Sequence, residues 1–491
     1  MVVTSFKNPI KFGTDGWRGV IAADFTMERV AQVAPIAAQI LAEVYGDRDS
    51  ETEFYHSDRT VIVGHDRRFL AEEFAQVAAE AIQNAGFNVL LTNTYAPTPA
   101  FSWAAKEKGA LGAIVMTASH NPGKYLGLKV KGAFGGSVSP NVTQKIEARL
   151  SQDLPPAPQP GTLESFDPWP SYCEILRSKV DIGAIQAAIV QGKLTVFADV
   201  MHGAAGGGLA KILGVDIREL NSDRDPLFDG GAPEPLPKYL PQLLEDMKNF
   251  STSAESSDLV TGLVFDGDSD RIAAIDKDGT YMSTQILIPV LIEHLATRRG
   301  FTGEVVKTIS GSDLMPKVAQ LYNLSVHETA IGYKYIADRM LEHSVLIGGE
   351  ESGGVGYNTH IPERDALLSA LYVLEAVVQS GQNLGYLYHQ LQETTGFSSM
   401  YDRIDLPLAS MDVRSRLLQE LETNPLIEIA GKAVTDCNTI DGYKFRLSDG
   451  SWLLVRFSGT EPVLRLYCEA ATLENVHETL NWIKDWANKF T

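Results

Sequence analysis

Four short loops hold the residues whose types and spacing could do chemistry. The first, TASHNP at 117–122, follows the apolar run GAIVM. Such a run reads as a buried strand, and ligands of open α/β sheets bind at the carboxyl ends of strands. Ser119, flanked by Thr117, His120 and Asn121, is placed there to accept a phosphoryl group; a serine hydroxyl needs help from charge and geometry to do so. The second, DGDSDR at 266–271, follows Leu263-Val-Phe265 and spaces Asp266, Asp268 and Asp270 at i, i+2 and i+4. Three carboxylates converge on a cation if the backbone curls around it, and an all-oxygen set suits a hard ion, magnesium first. An EF-hand is excluded, because Arg271 and Lys277 stand where that loop needs Gly and Glu. Without a cation the loop repels itself: two such charges ~4 Å apart cost about 4 kcal/mol at an effective dielectric of about 20.

The third loop, GGEESGG at 348–354, follows Val345-Leu-Ile347. Its glycines admit a ligand close to the backbone, and Glu350 and Ser352 can hydrogen-bond vicinal sugar hydroxyls. The fourth, RFSGTEP at 456–462, supplies the Arg456 guanidinium, the hydroxyls of Ser458 and Thr460 and backbone amides around Gly459, with Arg465 on the following strand. That set suits a phosphate. Taken singly, each loop also fits a plainer reading: a polar loop, a solvated acidic turn, a flexible surface turn, a hairpin.

The elements that must position these loops repeat a rhythm. Val30, Val33, Ala37, Ile40, Leu41 and Val44 recur at helical spacing, with Gly46 as a stop. A strand at 61–63, a helix to Ala85, a strand at 89–92, the turn APTP at 96–99, a short helix and the strand 112–116 follow. Alternating strands and helices imply a doubly wound α/β unit. The pattern restarts at Leu194–Ala198 before HGAAGGG, and again at Glu304–Lys307 before SGSD. A proline-rich boundary, SQDLPPAPQPG, lies at 151–161. From about residue 396 the character changes: RIDLPL, YKFRL, WLLVRF and VLRLYCEA read as strands, and a helix at 473–488 closes a small α+β unit.

Bulk composition narrows the partners. The 491 residues suffice for three or four domains, and 44% are hydrophobic. A net charge of -20 disfavours nucleic-acid backbones and anionic membranes as partners. Cys173, Cys437 and Cys468 form no C-x-x-C pair and suit free thiols in a reducing compartment. With no apolar run of membrane-spanning or signal-peptide length, the expectation is a cytoplasmic protein, monomer or homodimer.

The loops TASHNP, DGDSDR, GEESGG and RFSGTEP, in that order behind an opening FGTDGWRG at 12–19, resemble the α-D-phosphohexomutase superfamily over nearly the whole chain. The resemblance implies three related doubly wound α/β domains plus a smaller C-terminal α+β domain around a central cleft, expected at 1–165, 166–282, 283–395 and 396–491. It implies a phosphoserine at Ser119 and one Mg²⁺ held by Ser119, Asp266, Asp268 and Asp270. Arg18, His120, Lys129 and Arg271 match positions around the reacting hydroxyl; Lys334, Glu350 and Ser352 match the sugar contacts; Arg456, Ser458, Gly459 and Thr460 match the distal phosphate site. The implied reaction interconverts hexose 1-phosphate and hexose 6-phosphate, with glucose favoured over mannose, through a hexose 1,6-bisphosphate; glucose 1,6-bisphosphate is the expected activator. Lys129, beside Arg18 and Arg271, is expected to have its charged form disfavoured, as suits a base. Two departures bear on the sugar: Gly354 stands where many relatives have histidine, and Arg364 and Ala366 replace a usual KDG ending. A glucose-1,6-bisphosphate synthase on the same scaffold is the nearest alternative. A dehalogenase-type phosphatase using Asp266 would leave the other three loops unexplained.

Overall fold

A computed structural model describes residues 9–13, 16–46, 59–152, 159–253, 257–458 and 462–490. Thr14 and Asp15 of the opening motif, most of the proline-rich boundary, and Gly459 and Thr460 lie outside the described residues.

Among the described residues, three sheets of mixed direction are followed by one antiparallel sheet. The first has seven strands, in the order Phe12–Gly13, Gly16–Val20, Tyr125–Gly132, Gly112–Met116, Thr60–His65, Asn88–Thr92, Leu163–Phe166. Its centre, Gly112–Met116 beside Thr60–His65 beside Asn88–Thr92, is parallel. Those strands are apolar runs because helices cover both faces. The strand Tyr125–Gly132 returns antiparallel to Gly112–Met116 and carries Lys129 opposite Val115. The second sheet centres on Leu194–Asp199 parallel to Leu259–Phe265, and the third on Glu304–Thr308 parallel to Val345–Gly349. The loops at 117–122, 266–271 and 350–354 follow these central strands and therefore lie at carboxyl ends.

The helical readings from Val30 to Val44 and at 473–488 hold, as helices Met27–Tyr45 and Leu473–Asn488. The turn read at 96–99 is shorter than expected: Thr98 and Pro99 open the helix Thr98–Glu107, where Pro at the second position costs no intrahelical bond.

One apolar core runs through all three α/β units, joining Ile62 and Phe101 of the first to Val196 and Phe265 of the second and Leu291 and Leu371 of the third. The helix Ala366–Ser380 is buried all round from Ala366 to Val377, as a helix apolar on every face must be. The last unit has its own core. Helix Leu473–Asn488 sets Val476, Leu480 and Ile483 against Leu453, Val455, Leu464 and Leu466 of a six-stranded antiparallel sheet.

Polar groups fasten that last unit to the third. Glu469 accepts hydrogen bonds from the hydroxyls of Ser312 and Ser399, from the Asp313 amide at 2.8 Å and from the Trp452 indole at 2.7 Å. Beside it, buried Lys307, Asp313 and Lys444 form an ion cluster with half-buried Glu328 and Arg446, with Lys307–Asp313 at 3.0 Å and Arg446–Asp313 at 2.6 Å. Lys444 donates to Ile309 O at 2.8 Å. Burial, then the neighbouring Lys307 charge, brings its ammonium down to about 8. Charges buried at such a seam are tolerated only because each is paired.

Candidate active site

Ser119 sits in the loop after Gly112–Met116, 1% exposed, with a left-handed φ of 52°. Backbone in that region is strained for a non-glycine residue and persists only when its surroundings over-determine it. Here they do. The Ser119 amide donates to Thr117 Oγ1 at 2.9 Å. The fully buried Arg68 guanidinium donates to Ser119 O at 2.5 Å, Asn121 O at 2.6 Å, and Pro122 O and Tyr125 O at 3.2 Å. Asp66 pairs with Arg68 at 3.3 Å; burial pushes its carboxyl up to about 6.

The Ser119 hydroxyl donates to Asp266 Oδ2 at 2.8 Å and lies 3.4 Å from His120 Nδ1. Asp266, Asp268 and Asp270 are all wholly buried, and one oxygen from each lies within 4.8 Å of the others. Gly267 permits the approach, because a Cβ there would stand 2.4 Å from Ser119 O. Thr98 crosses from the first unit: its amide donates to Asp268 O at 2.9 Å and its hydroxyl to Asp268 Oδ2 at 2.5 Å.

The electrostatics of the triad fit a divalent cation. Burial, then the Asp270 and Asp268 charges, pushes Asp266 well above the usual carboxylate range. Burial also opposes the charge on Asp268, yet the Lys129 ammonium beside it holds that carboxyl well below the usual range. Asp268 Oδ1 and Asp270 Oδ1 are buried without a hydrogen-bond partner among the described residues. Buried carboxylate oxygens left unpaired mark a place where an ion is wanted.

Lys129 departs from expectation. Its ammonium lies 2.7 Å from Asp268 Oδ2 and 2.8 Å from Asp270 Oδ2, so carboxylates surround it where cations were expected to. The like-charge argument applies instead to His120: the Arg271 charge, then burial and Arg18, holds its imidazole far below the usual histidine range. His120 is therefore a neutral hydrogen-bonding group. Arg18 reaches the same loop, donating to Asn121 Oδ1 at 2.6 Å.

The sugar loop is stitched to the metal loop. Arg271 and Gly354 form a β-bridge, and the Ile272 amide donates to Gly353 O at 2.9 Å. Glu350 is buried, with burial raising its carboxyl; it accepts from the Gly332 amide, two residues before Lys334. Lys334 stands in the first turn of the helix Tyr333–Glu342. Ser352 lies half-buried in the turn.

Arg456 stands apart from this cluster. It pairs with Asp441 at 3.1 Å, and Asp441 also accepts from the Ile331 amide at 2.9 Å. Arg456 is directly opposite Arg465 on the neighbouring strand. Like charges so placed repel, unless an anion lies between them. Ser458 O accepts from Arg414 Nε at 3.0 Å.

Thus the structure gathers Ser119, Arg18, His120, Lys129, Arg271 and the three aspartates at one point, links Glu350 to them, and sets Arg456 and Ser458 on a separate unit. Sequence reasoning missed Asp66, Arg68 and Thr98. Asp66 and Arg68 follow an apolar strand just as Ser119 does, so the strand-end rule that selected TASHNP also points to them.

Comparison with known proteins agrees with this arrangement. Residues 9–155, 170–279 and 282–395 match the phosphoglucomutase/phosphomannomutase α/β/α domains I, II and III, and residues 416–484 match the C-terminal domain of the same family. The phosphoglucomutase/phosphomannomutase of Thermococcus kodakarensis is 28% identical over 475 residues, 96% of either chain. The phosphoglucosamine mutase of Limosilactobacillus reuteri is 27% identical over 486 residues, 97% of either chain. A crystal structure of a candidate phosphomannomutase from Thermus thermophilus superposes with a TM-score of 0.82 at 30% identity, covering 98% of this chain and 99% of the other. With all four domain types present in order, the chain belongs to the phosphoglucomutase/phosphomannomutase family of α-D-phosphohexomutases and is a mutase-type phosphotransferase.

Proposed function

We propose that this enzyme interconverts the 1- and 6-phosphates of a neutral hexose, glucose first and mannose second, with Ser119 Oγ as the phosphoryl carrier. The observation that carries the reading is the Ser119 hydroxyl 2.8 Å from Asp266 inside a buried aspartate triad ringed by Lys129, Arg271 and His120. In the first half-reaction the free hydroxyl oxygen of a hexose monophosphate bonds to phosphorus as the Ser119 Oγ–P bond breaks. The resulting bisphosphate turns end for end and returns its other phosphoryl group to Ser119. Phosphoryl transfer is mostly positioning and electrostatics. Arg68 fixes the serine loop, and Arg271 and Arg18 put positive charge beside it. The sugar's hydroxyl proton ends on Ser119 Oγ, which leaves as a hydroxyl, and Lys129, an ammonium between Asp268 and Asp270, adds positive charge beside the transfer. Asp266, Asp268 and Asp270 are the residues that would hold magnesium, which when bound neutralises charge on the transferring group.

Glu350 and Ser352 are the proposed sugar contacts, and Arg456 and Ser458 the proposed grip on the far phosphate. Glucose is put first because the sugar loop reads GEESGG, the form that resembles glucose-type members of the family. The second reading is a phosphoglucosamine mutase, the name borne by relatives that span almost the whole chain.

A panel of glucose, mannose and glucosamine 6-phosphates, followed by phosphorus NMR with and without added bisphosphate, tests both. Conversion of glucose 6-phosphate at tenfold or greater advantage over glucosamine 6-phosphate is expected. A reversed preference overturns the choice of sugar. Accumulation of free bisphosphate without net isomerisation would favour a synthase.

A further inference from the structure

Gly354 and Arg364, ten residues apart in sequence, meet in space. A Cβ at Gly354 would stand 2.3 Å from Arg364 Cδ and 2.9 Å from Arg364 Cγ, well inside the closest approach real side chains make. The place where a side chain at 354 would project is filled by the stem of Arg364. Gly354 has no positive φ, so backbone conformation does not demand glycine there. Neighbouring Gly353, at φ 108°, is the one whose conformation does.

The head of Arg364 is aimed with little freedom. Its Nη2 donates to Asp270 Oδ2 at 2.7 Å, its Nη1 lies 3.7 Å from Glu350 Oε2, and the guanidinium lies 5.5 Å from the centre of the Tyr333 ring. The adjacent Glu363 has one oxygen 3.8 Å from Nε, while its other oxygen is taken by Lys131 at 2.5 Å and Ser137 at 3.2 Å. On the other side Asp365 caps the buried helix Ala366–Ser380, accepting from Leu368 N at 2.9 Å, and accepts from the Tyr172 hydroxyl at 2.8 Å. Arg364 therefore leaves a fixed backbone, passes over Gly354 and ends between the metal loop and the sugar loop.

We propose that Arg364 and Gly354 form one positioning unit: Arg364 sets the Glu350 carboxylate at a fixed place relative to Asp270, and position 354 is glycine because any side chain would displace that arginine. The inference rests on Glu350 being a sugar contact, as proposed above. A planar guanidinium can span two carboxylates at once, whereas a lysine ammonium can satisfy only one in this geometry. Arg364 faces Asp270 and Glu350, so the role assigned to it passes through those two carboxylates.

The test is a double-mutant cycle on the full-length enzyme. Gly354→Ala should lower the melting temperature by about 5 °C, measured without substrate or metal. It should also lower kcat/KM roughly 100-fold. In an Arg364→Ala background the same Gly354→Ala change should cost almost nothing further on either measure. Arg364→Lys, which keeps charge and much of the stem, should raise KM for the hexose phosphate about tenfold with kcat within threefold. Equal damage from Gly354→Ala in both backgrounds overturns the steric pairing, and an unchanged KM in Arg364→Lys overturns the positioning role. Melting reports the coupling even if the wild-type enzyme turns over none of the sugars tried, so failure of the substrate reading stays separate from failure of the pair.

Discussion

Ser119 and the aspartates at 266, 268 and 270 are buried to 1% exposure or less, held by groups from two different units that reach each other directly. Arg456 retains 21% side-chain exposure and pairs with Asp441, which accepts from the Ile331 amide of the third unit. The first region fixes atoms within hydrogen-bonding distance of one another; the second leaves a guanidinium facing a like-charged neighbour across the strand pair. A centre that exchanges the phosphoryl group gains from rigidity, since small misplacements of reacting atoms are costly. A site that must grip either end of a turning bisphosphate gains from charge presented with room to adjust. On the function proposed above, the making of bonds and the holding of ligand fall to differently built regions of one protein.

The sharpest way to break this contrast is at Ser119. Replacing it by alanine should cut kcat by roughly 10⁴-fold or more with the fold intact, because the transferred group then has no carrier oxygen. Circular dichroism beside a coupled assay checks it, and near-normal turnover would sink the phosphoserine mechanism. A smaller effect is expected at the other region. Arg456→Ala should raise KM about 10- to 100-fold while kcat changes little, the signature of a lost charged hydrogen bond to bound phosphate. Steady-state kinetics separates the two constants; a kcat collapse at unchanged KM would mean that Arg456 belongs with the chemistry.

The smallest effect concerns the seam carrying the second region. Lys444 releases its proton at about 8 in the folded protein, against 10.5 when free. Between those values the unfolded chain holds a proton the folded one has shed, so its contribution to stability rises with pH across that window. The wild-type melting temperature, minus that of Lys444→Met, should therefore increase from pH 8 to pH 10. A difference that stays flat would show that the seam does not hold the lysine against its charge.

Much of this is legible in one dimension because the signals are local. The apolar runs at 112–116, 194–198 and 304–307 are central strands, and the loop behind the first of them holds Ser119. What escapes depends on distance along the chain. Lys129 meets Asp268 across 139 residues and Lys131 meets Glu363 across 232, so nothing near either lysine in sequence reveals its carboxylate partner. The resemblance places Arg18 and Arg271 beside Lys129, and the expectation of a like-charge effect follows from that company alone. The strand-end rule points to Arg68, but only the fold shows four carbonyls around its guanidinium. Gly354 and Arg364 each read as an isolated oddity until their side-chain space is compared.

Glu469 carries a consequence for anyone recombining these enzymes. Its carboxylate binds Ser312 and the Asp313 amide on one unit and Ser399 and Trp452 on the other. A chimera that grafts the final hundred or so residues onto a foreign body would part it from two of its four donors. The workable crossover lies upstream, where the segment holding Lys307, Ser312, Asp313 and Glu328 travels with the strands it serves.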